Sequence, residues 1–498
     1  MNRPAADRMT FPFDNSYAQL PERFFKRTPP APVRAPRLIR LNRELADQLG
    51  LDVDTLDTGH GAEIFAGNLV PEGAEPIATA YAGHQFGSFV PQLGDGRAIL
   101  LGEVVDGSGV RRDIQLKGAG RTPFSRGGDG RAAIGPVLRE YVVSEAMHAL
   151  GIPTTRALAA VTTGEQVIRE RALPGAVLTR VASSHIRVGT FEFFARRGDT
   201  DGVRVLADYV IARHYPDAVH ADAPYRALLD AVIASQAQLI ADWLLVGFIH
   251  GVMNTDNMSI AGETIDYGPC AFTDEYNAAT VFSAIDQLGR YAYGNQPAIA
   301  QWNLARLAEC LLPLLSDDAD AAVADATHAL EAFAPSFERA YHDGLRRKLG
   351  LHTEHESDIA LAGDLLQVMT DNGADFTLTF RRLTDAAADP DNDDVVRSLF
   401  IDTAAIDAWL ARWRQRLERE PGDTVARRDA MRRVNPAYTA RNHRVEAVIR
   451  AAEDNDDFAP FEELLDVLSR PFDDRPEFAP YAEPPQEHER VLRTFCGT

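Results

Sequence analysis

Apolar residues recur every third or fourth position across 132–150, where Ile134, Val137, Leu138, Tyr141, Val142 and Ala146 mark one face. That period predicts an amphipathic helix, closed by Gly151 and Pro153. Just upstream the pattern alternates instead. Segments 97–105 and 110–117 flank Asp106-Gly107-Ser108-Gly109 and predict a β-hairpin whose second strand ends at Lys117. Segments 158–168 and 176–181 read as two more strands around a turn at Gly164. Segment 225–249 becomes apolar on all sides towards its end, which predicts a buried helix. It runs into a polar loop, 250–257. Two short strands, 258–260 and 264–266, then follow around a turn at Ala261-Gly262-Glu263. Helices are also expected over 43–49 and 298–315. From about 346 onward the chain reads as helical, with an acidic break at 385–394 and an extended tail near Pro484-Pro485.

The elements divide the chain into a Pro-containing lead-in (1–85), a β-rich part with one embedded helix (86–200), a helical part (201–345) and a further helical region with the tail (346–498). The fold class this gives is α+β. Two copies of Gly-Asp-Gly-Arg-Ala, at 94–98 and 128–132, are too few for a repeat architecture but suggest two turns with similar work.

Composition narrows the function. The 498 residues hold 51 Lys+Arg against 73 Asp+Glu, a net charge of −22. Such a surface does not suit non-specific nucleic-acid binding, and 45% hydrophobic content excludes a mostly disordered chain. No leader segment is expected at the N-terminus. The longest apolar stretch, 239–249, contains Asp242 and is about half the ~20 residues a bilayer requires. Three widely spaced cysteines, Cys270, Cys310 and Cys496, indicate neither a disulfide framework nor a zinc cluster. A cytoplasmic protein that binds neither membrane nor nucleic acid is the expectation. Among the basic residues only Lys26, Lys117 and Lys348 are lysine. Each retained lysine is a position where a compact ammonium is worth seeking.

One ordered set of residues carries candidate chemistry. Lys117 ends a strand, Glu140 sits on the next helix, His250-Gly251 follows the buried helix, Asn257 closes its loop, and Asp266-Tyr267-Gly268 comes after. A protein-kinase-like fold uses its parts in this order: a lysine on phosphate, a glutamate holding it, an asparagine and an aspartate on the metal. Polyphosphate requires cations, and hard metals take carboxylate or amide oxygens. One slot disagrees. Kinases of small molecules have His-Gly-Asp with Asn five residues on, whereas Val252 stands in the aspartate's place and Asp256 lies beside Asn257. Singly these features have plain explanations: a surface ion pair, an ordinary turn, a polar loop tip. On pattern alone, Arg180 and Arg187 read as surface arginines. The set leaves three readings open: different chemistry on a kinase scaffold, a nucleotide-binding pseudokinase scaffold, or an atypical kinase transferring the γ-phosphate.

Longer motifs favour the first reading, with the other two kept as alternatives. Phe13-Asp14-Asn15-Ser16-Tyr17, Tyr81-Ala82-Gly83-His84-Gln85-Phe86-Gly87, Gln92 to Arg97, Gln115 to Gly120, Pro123 to Arg131, His250 to Asn257, Ile265 to Pro269, Asn295-Gln296-Pro297, Asn435-Pro436 and Arg441-Asn442 together resemble the SelO (YdiU) family along essentially the whole chain. The resemblance implies a protein-kinase-like bilobal fold with a β-rich N-lobe, a helical C-lobe and additional terminal segments. It implies transfer of AMP from ATP to Ser, Thr or Tyr hydroxyls of proteins, UMP transfer from UTP being attributed to some members. It also implies a nucleotide inverted relative to kinases, so that the α-phosphate faces the acceptor and pyrophosphate leaves. By position, Gly94, Gly96, Arg97, Lys117, Asp129, Gly130, Arg180 and Arg187 match nucleotide-binding residues, and Glu140 matches the partner of the lysine. Asp256 matches the proton acceptor, and Asn257 with Asp266 match ligands of Mg²⁺ or Mn²⁺. A monomer is the expected state.

The resemblance also touches the cysteines. Animal members carry selenocysteine third from the end, where this chain has Cys496. Some relatives have a cysteine downstream of Asp-Tyr-Gly, where Phe282 stands here. Cys270 lies four residues after Asp266, so a regulatory Cys270–Cys496 disulfide is one expectation; a buried Cys270 with a reactive tail thiol is the other.

Overall fold

The computed structural model describes residues 11–495. Its strands are β1 (Phe25–Arg27), β2 (Arg37–Leu41), β3 (Ile77–Thr79), β4 (Gly83–Gln85), β5 (Ser88–Val90), β6 (Ala98–Val105), β7 (Arg111–Lys117), β8 (Ala132–Ala133), β9 (Arg156–Ile168), β10 (Ala172–Ala182), β11 (Phe248–Ile249) and β12 (Ala271–Phe272). The helices that position the site are α1 (Arg43–Gln48), α2 (Val53–Leu56), α3 (Gly59–Phe65), α4 (Ile134–Ala149), α5 (Val188–Ala195), α6 (Thr200–His214), α7 (Pro224–Leu245) and α8 (Gln296–Leu315). Further helices run from Ala319 to Ser469, including Phe333–Lys348, Phe376–Ala388, Asn442–Asn455 and Ala459–Ser469. The architecture is α+β, built on an antiparallel sheet of order β1-β3-β6-β7-β10-β9-β2, with β8 paired to β10. The segment before residue 85 thus supplies three of its strands.

Both faces of the sheet are apolar, and strand parity decides which side chain goes where. Ile99, Leu101, Ile114, Leu116, Val177 and Val181 pack under α1–α3 with Leu45, Leu56 and Phe65. Leu100 and Leu178 point the other way, towards Leu138, Tyr141 and Val142 of α4. The predicted apolar face of α4 is buried at all six positions. Lys117 and Gln115 alternate with Leu116, and register pairs them with Leu178 and Arg180 of β10. The polar residues of these strands therefore emerge on the α4 side.

Three expectations are corrected. Gly164 is no turn: it lies within β9, at a bulge opposite Gly175, and the chain reverses at 169–171. Its φ of +68° and the approach of Ala35 explain why glycine stands there. Segments 258–260 and 264–266 do not pair with each other. Ser259 bridges Arg187 and Thr264 bridges Thr154. The buried helix ends at Leu245, and Phe248–Ile249 is a strand paired with β12. This 22-residue helix is long and apolar enough to cross a bilayer by composition, which revises the reading of 239–249, but 67% of its apolar window is buried in the core.

Candidate active site

β7 and β10 deliver Lys117 and Arg180 side by side, and α4 presents Glu140 to both. Lys117 Nζ is 2.6 Å from Glu140 Oε2 and 2.7 Å from Asp266 Oδ1. Arg180 Nη1 repeats the bridge, 3.1 Å from Glu140 Oε1 and 2.7 Å from Asp266 Oδ1, while its Nε donates to Gln115 Oε1 at 2.7 Å. Arg187, just before α5, donates to Asp266 Oδ2 and to the main-chain carbonyl of Asp256 at 2.6 Å, with its guanidinium 4.7 Å from the Tyr81 ring. Three cations therefore face two carboxylates. Burial works against ionising Asp266, but Arg187, Lys117 and Arg180 outweigh it and hold the carboxyl well below its usual range. Glu140 is likewise lowered against burial, by Lys117 and Arg180. Asp266 adopts φ +64°, a left-handed conformation uncommon for a side-chain-bearing residue. His250 anchors it: the ring, stacked on Trp243, donates from Nε2 to the Ile265 carbonyl at 2.8 Å. That bond fixes the tautomer, and burial keeps the imidazole neutral by lowering its pKa.

Asp256 sits in the 3₁₀ turn Thr255–Asn257. Its Oδ2 accepts from Gln85 Nε2 at 3.2 Å, and its Oδ1 is buried without a hydrogen-bond partner among the described residues. Burial pushes its pKa up to about 6, against the pull of Arg187 and Gln85. Asn257 donates Nδ2 to the Val252 carbonyl at 2.9 Å, which turns its amide oxygen away from that bond. Val252 itself is a buried apolar residue.

The two Gly-Asp-Gly-Arg copies behave differently. Asp95 is buried, and its carboxylate accepts from Thr79 N at 3.0 Å, Thr79 Oγ1 at 2.7 Å and Gln115 Nε2 at 3.3 Å. Gly94 (φ +72°) and Gly96 are capped by Phe124, and Gly118 N bonds the Arg97 carbonyl at 2.7 Å, which ties this turn to the end of β7. In the second copy Asp129 is exposed and paired with Arg169 at 2.9 Å, beyond the ring around Asp266. Gly130 lies against Gly120, whose N–H it accepts at 3.0 Å.

Sequence reasoning missed Gln85, Tyr81, Gln115 and Asn254. The Tyr81–Gly87 motif had marked only family likeness; its physical role is contact with the 250–257 loop. The tail also comes close. Thr494 Oγ1 donates to the Pro269 carbonyl at 2.6 Å and Thr494 N to the Phe282 carbonyl at 2.8 Å. Cys270 beside Pro269 is buried; Cys496, and with it the Cys270–Cys496 expectation, lies outside the described residues.

The donors expected for a divalent metal, the Asn257 amide and the Asp266 carboxylate, are hard oxygen ligands, and Arg187 ties their two loops by donating both to Asp266 and to the Asp256 carbonyl. Among the described residues no cluster of three acidic, His or Cys side chains comes together as a self-sufficient metal site. Two protein donors fit an ion that completes its shell with water and phosphate oxygens, as Mg²⁺ does.

A family model described as protein adenylyltransferase SelO matches residues 7–469. The chain is 70% identical over 494 residues to a protein nucleotidyltransferase YdiU of Methylorubrum extorquens, covering 98% of this chain and 99% of the relative. It is 69% identical over 488 residues to that of Rhodopseudomonas palustris (strain BisB5), and 67% identical over 488 residues to that of Bradyrhizobium diazoefficiens, with the same coverage.

Proposed function

The chain belongs to the SelO family of protein adenylyltransferases, and we propose a mechanism for the AMP transfer that this membership entails. The protein is a nucleotidyltransferase, and ATP is its nucleotide substrate. In our reading the β-rich and helical parts correspond to the two lobes of a protein-kinase-like fold, with the nucleotide between them. Lys117, Arg180 and Arg187 bind its phosphates, Glu140 keeps Lys117 aimed, and the Gly94–Arg97 and Asp129–Gly130 turns approach it by main chain. Asn257 and Asp266 would hold Mg²⁺ or Mn²⁺, which supplies charge neutralisation at the phosphates.

The acceptor hydroxyl of a protein Ser, Thr or Tyr attacks the α-phosphorus in line. The new bond joins that oxygen to phosphorus, the bond to the β-phosphate oxygen breaks, and pyrophosphate leaves. Asp256 takes the hydroxyl proton. Its buried carboxylate, with one oxygen unpartnered, is a better base than an exposed aspartate. The observation that carries this reading is the pairing of an intact Lys117–Glu140–Asp266 set with a buried Val252 where a kinase would keep its base. ATP labelled at the α-phosphate should label acceptor protein, and γ-labelled ATP should not. The reverse result would restore ordinary phosphorylation. Parallel reactions with UTP measure the UMP alternative.

A further inference from the structure

β4 and β5 form a hairpin separate from the main sheet, with Gln85 opposite Ser88. The two residues between them, Phe86 (φ +52°) and Gly87 (φ +83°), both take left-handed conformations. A two-residue loop of this kind normally begins with Asn, Asp or Gly, so a phenylalanine there is strained. The strain is held by bolts to the loop carrying Asp256. Phe86 N donates to Asn254 Oδ1 at 3.0 Å and to the Tyr291 hydroxyl at 3.2 Å, and the Phe86 and Tyr291 rings lie 5.0 Å apart. One residue earlier, Gln85 reaches Asp256 itself. The tip of this hairpin thus stands beside the carboxylate that receives the acceptor's proton.

Behind the tip is a rim of arginines on aromatic rings. Arg290 lies 4.8 Å from the Trp302 ring and 5.7 Å from that of Tyr291; Arg306 lies 4.9 Å from Trp302; Arg196 lies 5.3 Å from Phe89. His84 packs between Trp302 and Phe89 at 5.2 and 5.1 Å, so the rim closes on itself. Glu309 pairs with Arg306 at 2.7 Å and approaches Arg196 at 3.9 Å. Asp286 is buried and occupied by the backbone N–H groups of Arg290 and Tyr291. Arg290 forms no salt bridge among the described residues, and its Nε is buried without a hydrogen-bond partner. Against a net charge of −22, this rim presents three cations and one exposed carboxylate.

We propose that the β4–β5 hairpin and its arginine–aromatic rim are the docking surface for the acceptor protein, and that they select a hydroxyl flanked by acidic side chains. The proposal rests on the nucleotidyl-transfer reading above and adds the class of acceptor. Charge complementarity favours an acidic segment: Arg290 offers a guanidinium that no carboxylate of the described residues neutralises, and an acidic protein surface would otherwise repel such a segment. The aromatic rings give the arginines cation–π partners that hold them in place while their charge stays reachable from solvent.

The test uses two synthetic serine peptides that differ only in flanking residues, Glu in one and Lys in the other, with ATP labelled at the α-phosphate. Wild type should use the acidic peptide with a kcat/KM at least tenfold higher, and the preference should weaken as salt is raised. The double variant Arg196→Glu/Arg290→Glu should reverse the preference while binding a non-hydrolysable ATP analogue as wild type does. Equal use of the peptides by wild type, label on neither while an acceptor protein is still labelled from the same ATP, or a preference that survives in the double variant would overturn the docking surface. A double variant whose only change is in sedimentation mass would overturn it too, assigning the face to a second copy of the chain. Label from γ-labelled but not α-labelled ATP would instead overturn the transfer reading.

Discussion

Nζ of Lys117 lies 2.7 Å from Oδ1 of Asp266, a residue 149 positions further along the chain. Arg180 and Arg187 hold the same carboxylate, so before nucleotide arrives Asp266 neutralises cations meant for phosphate. Binding of a polyphosphate therefore exchanges one anionic partner for another and leaves Asp266 available for a metal. Asp266→Asn should abolish transfer. It also leaves Lys117 and the buried Arg180 with Glu140 as their remaining salt-bridge partner and the buried Arg187 with none among the described residues, a loss of the kind that costs about 3–5 kcal/mol. Thermal melts should show a lower Tm for the variant. ATP in the presence of chelator should raise that Tm more than it raises the wild-type value, because the phosphates no longer compete with the aspartate. A variant with wild-type Tm and wild-type transfer would refute the exchange.

Gln85 contributes by orientation. Among the described residues its amide is the one side-chain hydrogen bond to the Asp256 carboxylate. Gln85→Leu should lower kcat about tenfold, the scale expected when a reacting group loses its aim but keeps its chemistry, with ATP affinity unchanged. In an Asp256→Asn background the same substitution should have no further effect. Additive losses in that double-mutant cycle would show that Gln85 acts elsewhere.

How much of this was legible beforehand depends on the distance over which each contact forms. Lys117 and Glu140 were readable because a hairpin and a helix announce themselves in local periodicity, and both elements formed as their patterns indicate. Arg180 was not. Its place comes from the register of β10 against β7, which puts Arg180 opposite Gln115, and nothing in its neighbours' sequence encodes that pairing. The 258–266 hairpin failed for a related reason: Ser259 and Thr264 each have a partner more than seventy residues away, and those bridges replaced the local one. Gly164 misled because a positive-φ glycine marks a bulge as readily as a turn. Gln85 lies 171 residues from Asp256, a contact that only the folded chain brings about.

Gly130 allows a sharper mutational contrast. A Cβ there would sit 2.1 Å from the Gly120 carbonyl oxygen, and φ is +70°. Gly127, three residues earlier in the exposed part of the loop, has φ +86° and nothing within 4 Å. Gly127→Ala should cost only the conformational strain, about 1 kcal/mol, and leave nucleotide binding intact. Gly130→Ala must push the two arms of the loop apart, and should weaken ATP binding at least tenfold by calorimetry. Equal behaviour of the two variants would mean that the loop is not closed against the nucleotide.

Lys348, the last of the three lysines, is buried with its ammonium 4.4 Å from the Phe380 ring and 5.5 Å from that of Phe376. Burial lowers its pKa to about 7. The sign of the consequence follows from proton counting. Between pH 7 and about 10.4, the value of a free lysine, the unfolded chain holds a proton that the folded chain has released. Stability should therefore rise with pH across that window, and the cost of burying the charge should be fully present below it. At about 1.4 kcal/mol per unit of pKa the net cost below that window is at most roughly 5 kcal/mol. Lys348→Met keeps the volume and removes the charge. It should gain about 2 kcal/mol at pH 7 and flatten the rise between pH 7 and 9.5, measured by denaturant unfolding at several pH values. A variant less stable than wild type at pH 7, or one with an unchanged slope, would mean that the ammonium remains charged in the fold and that the rings alone sustain it.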